Sequence, residues 1–259
     1  MSLSHWPPAD EPNSVDTLVA RAFGTGAGDF SVDFLAPIDI AISSVLQGCL
    51  YKQNGDAFSG ADISHWTIAK RRQGLLAISI STNGPRRFIT VTCSDLDCGA
   101  KMDLEITLSD FRSDWRKDTI EVVLLADRTI TVRHPTPSDL ALLSSMHNPE
   151  KTELAQILLI GETPSESGWE EKVQQALTEA DRLADLELTA ACPNCGKPTA
   201  TPLILETFLM GELSKEFTLL MDNIHTLAMA YNWTETDILA LPENRRRHYL
   251  ARIQEAWAA

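Results

Sequence analysis

Two short cysteine pairs constrain the fold of this chain more than any other feature. Cys93 and Cys98 form the first pair, Cys192 and Cys195 form the second, and a glycine directly follows each pair. Residues on both sides alternate apolar and polar side chains, as half-buried strands do. Two such turns, called knuckles below, can aim four thiolates at one ion, and the glycine allows a turn with positive φ. We therefore predict a structural zinc site formed by Cys93, Cys98, Cys192 and Cys195.

The spacing of the cysteines departs from that of a simple zinc ribbon in two ways. Four residues separate Cys93 from Cys98, instead of the usual two, and residues 99–191 separate the pairs, against roughly 15–20 residues in a simple ribbon. The site therefore requires an inserted module, residues 111–185, to fold between its two halves. Four protein thiolates would leave no coordination position open for water or substrate.

Two other interpretations of the cysteines stay open. Reduced cysteines can be buried as small apolar residues, an interpretation that fits Cys49, which stands alone on a predicted helix. A redox role for Cys192 and Cys195 would require a helix beginning at the first cysteine. Gly196 and Pro198 instead favour a turn into a strand.

Charge and composition limit the classes of partner. The 259 residues can bury a core without a metal, and 36 acidic against 22 basic residues give a formal charge of −14. Such a field repels phosphate backbones, so we expect no nucleic-acid partner. The polar, acidic start lacks signal-peptide features, and no apolar run reaches the ~18 residues of a membrane span. We expect a cytoplasmic protein with no membrane partner, whose thiols stay reduced.

The sequence predicts an α+β fold of zinc-ribbon-like β-hairpins with an inserted α/β module, a helical N-terminal region and a helical C-terminal hairpin. The predicted divisions are a disordered lead-in (1–13), a helical N-terminal region (14–86), a zinc-ribbon β body (87–205) that contains the inserted module (111–185), and a C-terminal helical region (206–259). Three prolines among acidic residues suggest the lead-in. Apolar residues at alternating steps of four and three predict one long helix over 206–231.

Periodicity and turn signals assign the remaining elements. The predicted helices cover residues 37–50, 61–83, 137–146, 151–160, 169–186, 234–241 and 242–253, and the predicted strands cover 88–93, 101–108, 120–125, 129–133, 186–192 and 198–205.

The search for catalytic motifs gives no positive signal, and we predict that the protein is not an enzyme. The chain lacks the dinucleotide, phosphate-loop, nucleophile-elbow and His-Glu-x-x-His patterns. The glycine-rich segment 24–28 has no clear preceding strand and no following lysine, so we interpret it as a flexible turn. The run of Arg245, Arg246 and Arg247 is either a solvated helix face or a partner-binding surface.

Several segments together resemble a known family. The Cys192–Gly196 knuckle, the segment 132–140 and the C-terminal segment 224–250 resemble the baseplate hub assembly chaperones of contractile-tailed phages and extracellular contractile injection systems. The likeness covers residues 87–256. It implies a non-enzymatic assembly chaperone or minor structural component that binds a hub, spike or tape-measure protein, either in the cytoplasm during assembly or within the particle.

The C-terminal segment supplies the candidate partner-binding residues. These are Tyr231, Trp233, Arg245, Arg246, Arg247 and Tyr249. Packing of the corner between the long helix and the last two helices is an alternative role for the aromatic residues. A zinc-ribbon adaptor in transcription is the alternative function, which the net charge and the lack of basic residues around the knuckles disfavour.

Overall fold

The computed structural model describes residues 3–6, 18–111, 119–124, 128–146 and 151–258. Within these ranges the chain is mixed α/β, with helices between small antiparallel sheets. The elements are β1 (Leu3–Trp6), β2 (Leu18–Arg21), α1 (Ile38–Cys49), β3 (Leu50–Tyr51), α2 (Gly60–Ser64), α3 (Ile68–Asn83), β4 (Arg86–Thr92), β5 (Lys101–Thr107), β6 (Thr119–Val123), β7 (Thr129–Arg133), α4 (Pro137–Ser145), α5 (Lys151–Leu158), β8 (Leu159–Ile160), α6 (Trp169–Ala180), β9 (Leu186–Ala191), β10 (Pro198–Leu203), α7 (Leu205–Tyr231), α8 (Glu235–Ala240) and α9 (Glu243–Ala258).

The N-terminal region contains a small sheet that the sequence did not predict. Strands β1, β2 and β3 pair antiparallel, with Val19 opposite Tyr51 and Trp6 opposite Leu18. The prediction of a disordered lead-in is therefore wrong for residues 3–6, and its remaining residues, 1–2 and 7–13, lie outside the described ranges. All four residues of β2 are buried, so the strand is held in the core and offers its backbone to β1 on one side and β3 on the other.

The helix predicted over residues 61–83 is two helices, α2 and α3. Asp62 and Ser59 form a reciprocal capping box at the start of α2. Thr67 then caps α3 by accepting a hydrogen bond from the Lys70 N–H. The Ile68 N–H, which has no partner within its own helix, donates to the Pro135 carbonyl at 2.8 Å. A second N-cap inside an apolar stretch therefore breaks the predicted helix.

The inserted module has its own apolar core. Strands β6, β7 and β8 form an antiparallel sheet, against which α5 and α6 pack. The buried residues of this core are Val122, Leu124, Val132, Ala155, Leu158, Trp169 and Val173. The helix predicted over 151–160 ends at Leu158, because Leu159 and Ile160 pair with β7. The helix predicted over 169–186 ends at Ala180. The next residue, Asp181, has left the helical conformation, and its carboxylate pairs with the Arg72 guanidinium.

The main core joins the N-terminal helices to the first half of α7. Leu46, Leu75 and Leu76 pack with Leu209 and Leu213 in one fully buried cluster. The second half of α7 packs with α8 and α9 in a smaller cluster around Ile224, Leu227, Ile238 and Ile253. The apolar stripe predicted for the long helix is thus confirmed. No helix within the described residues combines the length and the hydropathy that crossing a bilayer requires.

Candidate metal centre

Both knuckles lie at the turns of β-hairpins. Strands β4 and β5 pair from Arg86–Thr107 to Thr92–Lys101, and the first knuckle joins them. Strands β9 and β10 pair from Leu186–Leu203 to Ala191–Pro198, and the second knuckle joins those. Alternating burial along β4 places Val91 in the small apolar cluster beneath the knuckles and leaves Thr90 and Thr92 outside it. The hairpin prediction is confirmed for both pairs.

The four thiols converge on one point. The sulfurs of Cys93, Cys98, Cys192 and Cys195 all lie within 4.8 Å of one another. Cys93 Sγ is 3.7 Å from Cys195 Sγ, and Cys98 Sγ is 3.8 Å from Cys192 Sγ. Four sulfurs held about 2.3 Å from a tetrahedral ion are roughly 3.8 Å apart. The geometry fits a metal ion bound by four cysteines, with each close contact joining one knuckle to the other.

The two knuckles repeat the same backbone hydrogen bonds. In each, the first cysteine donates its N–H to the carbonyl two residues beyond the second cysteine, Cys93 to Ala100 and Cys192 to Lys197, both at 2.9 Å. The Gly99 N–H donates to Asp95 O and the Gly196 N–H to Cys192 O, four residues back in each case.

Both glycines have positive φ, +54° and +73°. The extra residues of the first knuckle lie before this turn, so the wider spacing leaves the turn itself unchanged.

Polar side chains from the second hairpin reach across to the first. Asn194 donates its side-chain N–H to Cys98 Sγ at 3.3 Å, and the Thr199 hydroxyl donates to Cys93 Sγ at 3.6 Å. The Lys197 ammonium pairs with the Asp95 carboxylate. Hydrogen bonds to a metal-bound sulfur orient it and adjust its basicity. The sequence motif did not identify Asn194 or Thr199, since neither contact follows from cysteine spacing.

Hydrogen bonds and desolvation shift the pKa values of Cys98 and Cys195 in opposite directions. The Asn194 amide and then the Ala100 N–H stabilise the Cys98 thiolate and lower the pKa of Cys98 to about 7. The Lys197 N–H favours the thiolate of Cys195, but desolvation and the other three thiols outweigh it and raise the pKa of Cys195 to about 12. The Cys98 thiolate thus forms easily, whereas ionisation of Cys195 is opposed. A divalent cation removes this opposition because its charge replaces the protons.

Cys49 has the surroundings of a buried structural thiol, whereas Cys192 lacks those of a redox-active one. Cys49 is fully buried at the end of α1, and its thiol donates to Asp29 Oδ1 at 3.5 Å. Burial raises the pKa of Cys49, as expected for a structural thiol. Cys192 follows a strand and does not begin a helix, so the local structure that a redox pair would use to activate its first thiol is missing.

The predicted partner-binding residues separate into two groups. Tyr231 stacks on Trp233 with ring centroids 4.7 Å apart, and Tyr249 meets both rings edge to face at 5.5 and 4.9 Å. These half-buried rings close the corner between α7 and α9, as the packing interpretation expects. In the arginine run, Arg245 is exposed and donates to the Tyr249 hydroxyl at 3.4 Å. Arg247 is exposed, whereas Arg246 is buried.

The glycine-rich segment 24–28 is a turn around an internal carboxylate. Asp29 Oδ2 accepts hydrogen bonds from the Gly24 and Gly26 N–H groups at 2.7 and 3.1 Å. Both Asp29 oxygens also bind the Arg21 guanidinium, at 2.5 and 2.6 Å, in a fully buried pair. Backbone N–H groups that converge on an anion are typical of phosphate sites. Here a side chain of the same chain is that anion, which anchors the turn.

The chain matches no protein-family model, and comparison with curated proteins and with solved structures gave no match either. The likeness to baseplate hub assembly chaperones therefore stays a sequence-based prediction. The grouping of the four cysteines, in contrast, is a property of the fold itself.

Proposed function

We propose that this chain is a zinc-containing assembly chaperone, or minor structural component, of the baseplate hub of a contractile tail or injection system. In this proposal the protein works by binding, without catalysing a reaction. The convergence of four cysteine sulfurs is the observation that carries the metal part, and the motifs of residues 87–256 carry the family part.

Zinc would serve as a cross-link between the hairpins. The apolar cluster at the knuckles is small: among the described residues its buried members are Val91, Cys93, Met102 and Cys192, so a metal ion would add a strong link between the two hairpins there. A tetrahedral set of four sulfurs suits zinc or iron, and zinc is the usual occupant of two-knuckle sites. The ion would fix β4–β5 against β9–β10, and through α7 it would fix the helices that follow.

An apolar groove supports the binding part of the proposal. A cavity of about 450 Å³ opens between the starts of α1, α4 and α7. Ile38, Leu140 and Ile204 line it with 46%, 43% and 69% of their surfaces exposed. Large apolar side chains that cluster on a surface commonly mark a protein-binding site. Helical grooves of this kind bind amphipathic helices through apolar residues spaced three and four apart.

Charge indicates what kind of segment would bind there. The exposed Asp39 carboxylate lies at the groove, and the chain as a whole carries −14. A client helix with apolar residues on one face and lysine or arginine beside them would complement both features. We therefore propose such a helix of a hub, spike or tape-measure protein as the occupant.

Pairwise binding of purified proteins tests the proposal. Each tail protein encoded next to this gene is purified and its affinity for the chain is measured by calorimetry. We expect one of them to bind, and Ile204→Glu to weaken that binding at least about 100-fold, since a charge would be buried against an apolar face. The control is Met229→Glu, which changes an equally exposed apolar residue of α7 outside the groove.

Two outcomes would contradict the proposal. If none of the tail proteins binds, the assembly function is wrong. If Ile204→Glu and Met229→Glu weaken binding equally, the groove is not the binding site.

Mass spectrometry of mature particles distinguishes an assembly chaperone from a minor structural component. A chaperone is absent from the mature particles, whereas a structural component is present in them at a fixed ratio.

A further inference from the structure

A second cavity lies on another side of the molecule, between the glycine turn, the end of α3, and helices α7 and α9. Its volume is about 250 Å³. Its lining includes Gly24 of the turn, Glu216, Leu220 and Asn223 of α7, and Arg246 and Arg247 of α9. Gly24 permits this arrangement, since a Cβ there would stand 3.2 Å from Leu220 Cδ2.

Arg246 is the unusual feature of this cavity. Its side chain lines the cavity, and the residue is only 8% exposed. Its guanidinium makes no hydrogen bond or ion pair with any residue that the structure describes. Most of the side chain is therefore buried, while the guanidinium nitrogens stay open to the cavity and have no acceptor among the described residues.

The other buried arginines show what Arg246 lacks. Arg21 binds Asp29 through two hydrogen bonds, and Arg72 pairs with Asp181 and Glu206. Arg71 and Arg87 donate to backbone carbonyls and serine hydroxyls. Arg71 also lines a cavity, the apolar groove, but its guanidinium has acceptors. Among the buried arginines of the described ranges, only Arg246 combines a place in a cavity wall with the lack of an acceptor from these residues.

Polar and charged side chains surround Arg246 in the lining of the cavity. Glu216 contributes a carboxylate, which accepts a hydrogen bond from the Asn83 amide at 2.8 Å. The Asn223 side-chain amide, half-buried, makes no hydrogen bond within the described part of the chain. The cavity thus offers donors from Arg246 and Asn223.

We propose that this cavity binds a carboxylate group, which accepts hydrogen bonds from the Arg246 guanidinium and the Asn223 amide. A guanidinium binds a carboxylate through two parallel hydrogen bonds, and the Glu216 carboxylate in the lining repels a phosphate dianion more strongly than a monoanion. The carboxylate belongs to an acidic side chain or chain end of a bound polypeptide, or to a small molecule. This site is separate from the metal centre and the apolar groove, and it does not depend on the proposed function.

Titration with acetate tests the proposal on the full-length, metal-loaded protein. The NMR signal of the Arg246 Nε–H group is followed while sodium acetate replaces sodium chloride at constant ionic strength. We expect a saturable shift of this signal, assigned by its loss in Arg246→Met. Arg252, an exposed arginine of the same helix, serves as the control. The Arg252→Met variant should show the same saturable shift of the Arg246 signal as the wild type. In the wild type, the shift of the Arg252 signal should rise with acetate without reaching a plateau.

Stability provides a second readout. Acetate should raise the melting temperature of the wild type and of Arg252→Met but not that of Arg246→Met. Without acetate, Arg246→Met should melt close to the wild-type temperature, because the Arg246 guanidinium has no hydrogen bond or ion pair with the described residues to lose. The proposal is overturned if acetate does not shift the Arg246 signal, or if it shifts that signal without saturation, as expected for Arg252. This measurement needs only the wild-type protein.

Three further ligands identify the source of the carboxylate. A neutral peptide with a free C-terminus is compared with the same peptide amidated, and an amidated peptide with internal glutamates is added. Preference for the free terminus assigns a chain end, binding of the glutamate peptide assigns acidic side chains, and binding of acetate alone assigns a small molecule. Tighter binding of inorganic phosphate than of acetate would contradict the assignment of a monoanion.

Discussion

Cys93 Sγ lies 3.7 Å from Cys195 Sγ, although 102 positions separate the two residues in the chain. The contact brings the end of β4 to the turn before β10, and the whole inserted module lies in the loop that it closes. A cross-link that closes a long loop restricts the unfolded chain strongly. The metal centre is therefore expected to stabilise the fold well beyond the two hairpins.

Metal content follows directly from this relationship. We expect the purified protein to contain about one equivalent of zinc, and Cys192→Ser to lose it and unfold at a lower temperature. Elemental analysis and thermal unfolding measure both effects. Cys49→Ala is the control, since it removes a buried thiol outside the site and should keep the metal. Full stability of metal-free Cys192→Ser would refute a structural role for the ion.

The hydrogen bond from Asn194 to Cys98 Sγ predicts an effect on metal affinity without loss of a ligand. We expect Asn194→Ala to weaken zinc binding at least about 10-fold, because the sulfur loses a donor that orients it. Competition with a chromophoric chelator measures the affinity. Leu96→Ala, which changes a fully exposed residue of the other knuckle, should bind zinc like the wild type. Equal affinities of both variants would show that the contact does not act on the metal.

Arg72 joins three parts of the fold, because α3 carries it and its carboxylate partners lie after α6 and at the start of α7. Arg72→Ala leaves the buried Asp181 and the half-buried Glu206 without their cation, so we expect a loss of about 3–5 kcal/mol in the free energy of unfolding. Urea denaturation measures it. Arg86→Ala, which removes an exposed pair with Glu105, should cost less than about 1 kcal/mol. Similar losses in both variants would contradict this role of Arg72.

Two helical glycines predict opposite effects of the same substitution. A Cβ at Gly74 would stand 2.7 Å from Leu46 Cδ2 and 2.8 Å from Leu50 Cδ1, so Gly74→Ala should destabilise the protein by about 1–3 kcal/mol. A Cβ at Gly211 of α7 would meet no atom within 4 Å. Gly211→Ala should therefore stabilise it by about 0.5–1 kcal/mol. Urea denaturation of both variants checks the signs, and a neutral Gly74→Ala would show that the core can repack there.

The Arg133–Asp139 pair predicts a pH dependence of stability. Two hydrogen bonds from Arg133, each 2.6 Å, hold the pKa of Asp139 at about 2, against an ordinary value of 3.8. Because the pKa is lower in the folded state, the stabilisation is complete above pH 3.8 and is lost as the pH falls towards 2. Since Arg133 is partly exposed, we expect Asp139→Asn to cost about 1–2 kcal/mol at pH 7.

Urea denaturation of the wild type and Asp139→Asn at several pH values measures this difference. The difference between the two proteins should be constant from pH 7 to pH 5 and should shrink below pH 4. Comparing the two proteins at each pH cancels any release of metal by acid, which affects both equally. A difference that stays constant down to pH 3 would contradict the assignment to this carboxylate.

The sequence determined the features that depend on local pattern. Cysteine spacing with a following glycine indicated both knuckles, alternation indicated their hairpins, and helical spacing indicated α7, because each signal involves residues close together in the chain. Tertiary structure decided the rest. Strands β1, β3 and β8 are short and exist because a distant strand offers them backbone partners. Arg246 is buried and Arg245 is exposed because of how α9 packs on α7. Asn194 reaches Cys98, 96 positions away in the chain, because the tertiary structure brings the two hairpins together.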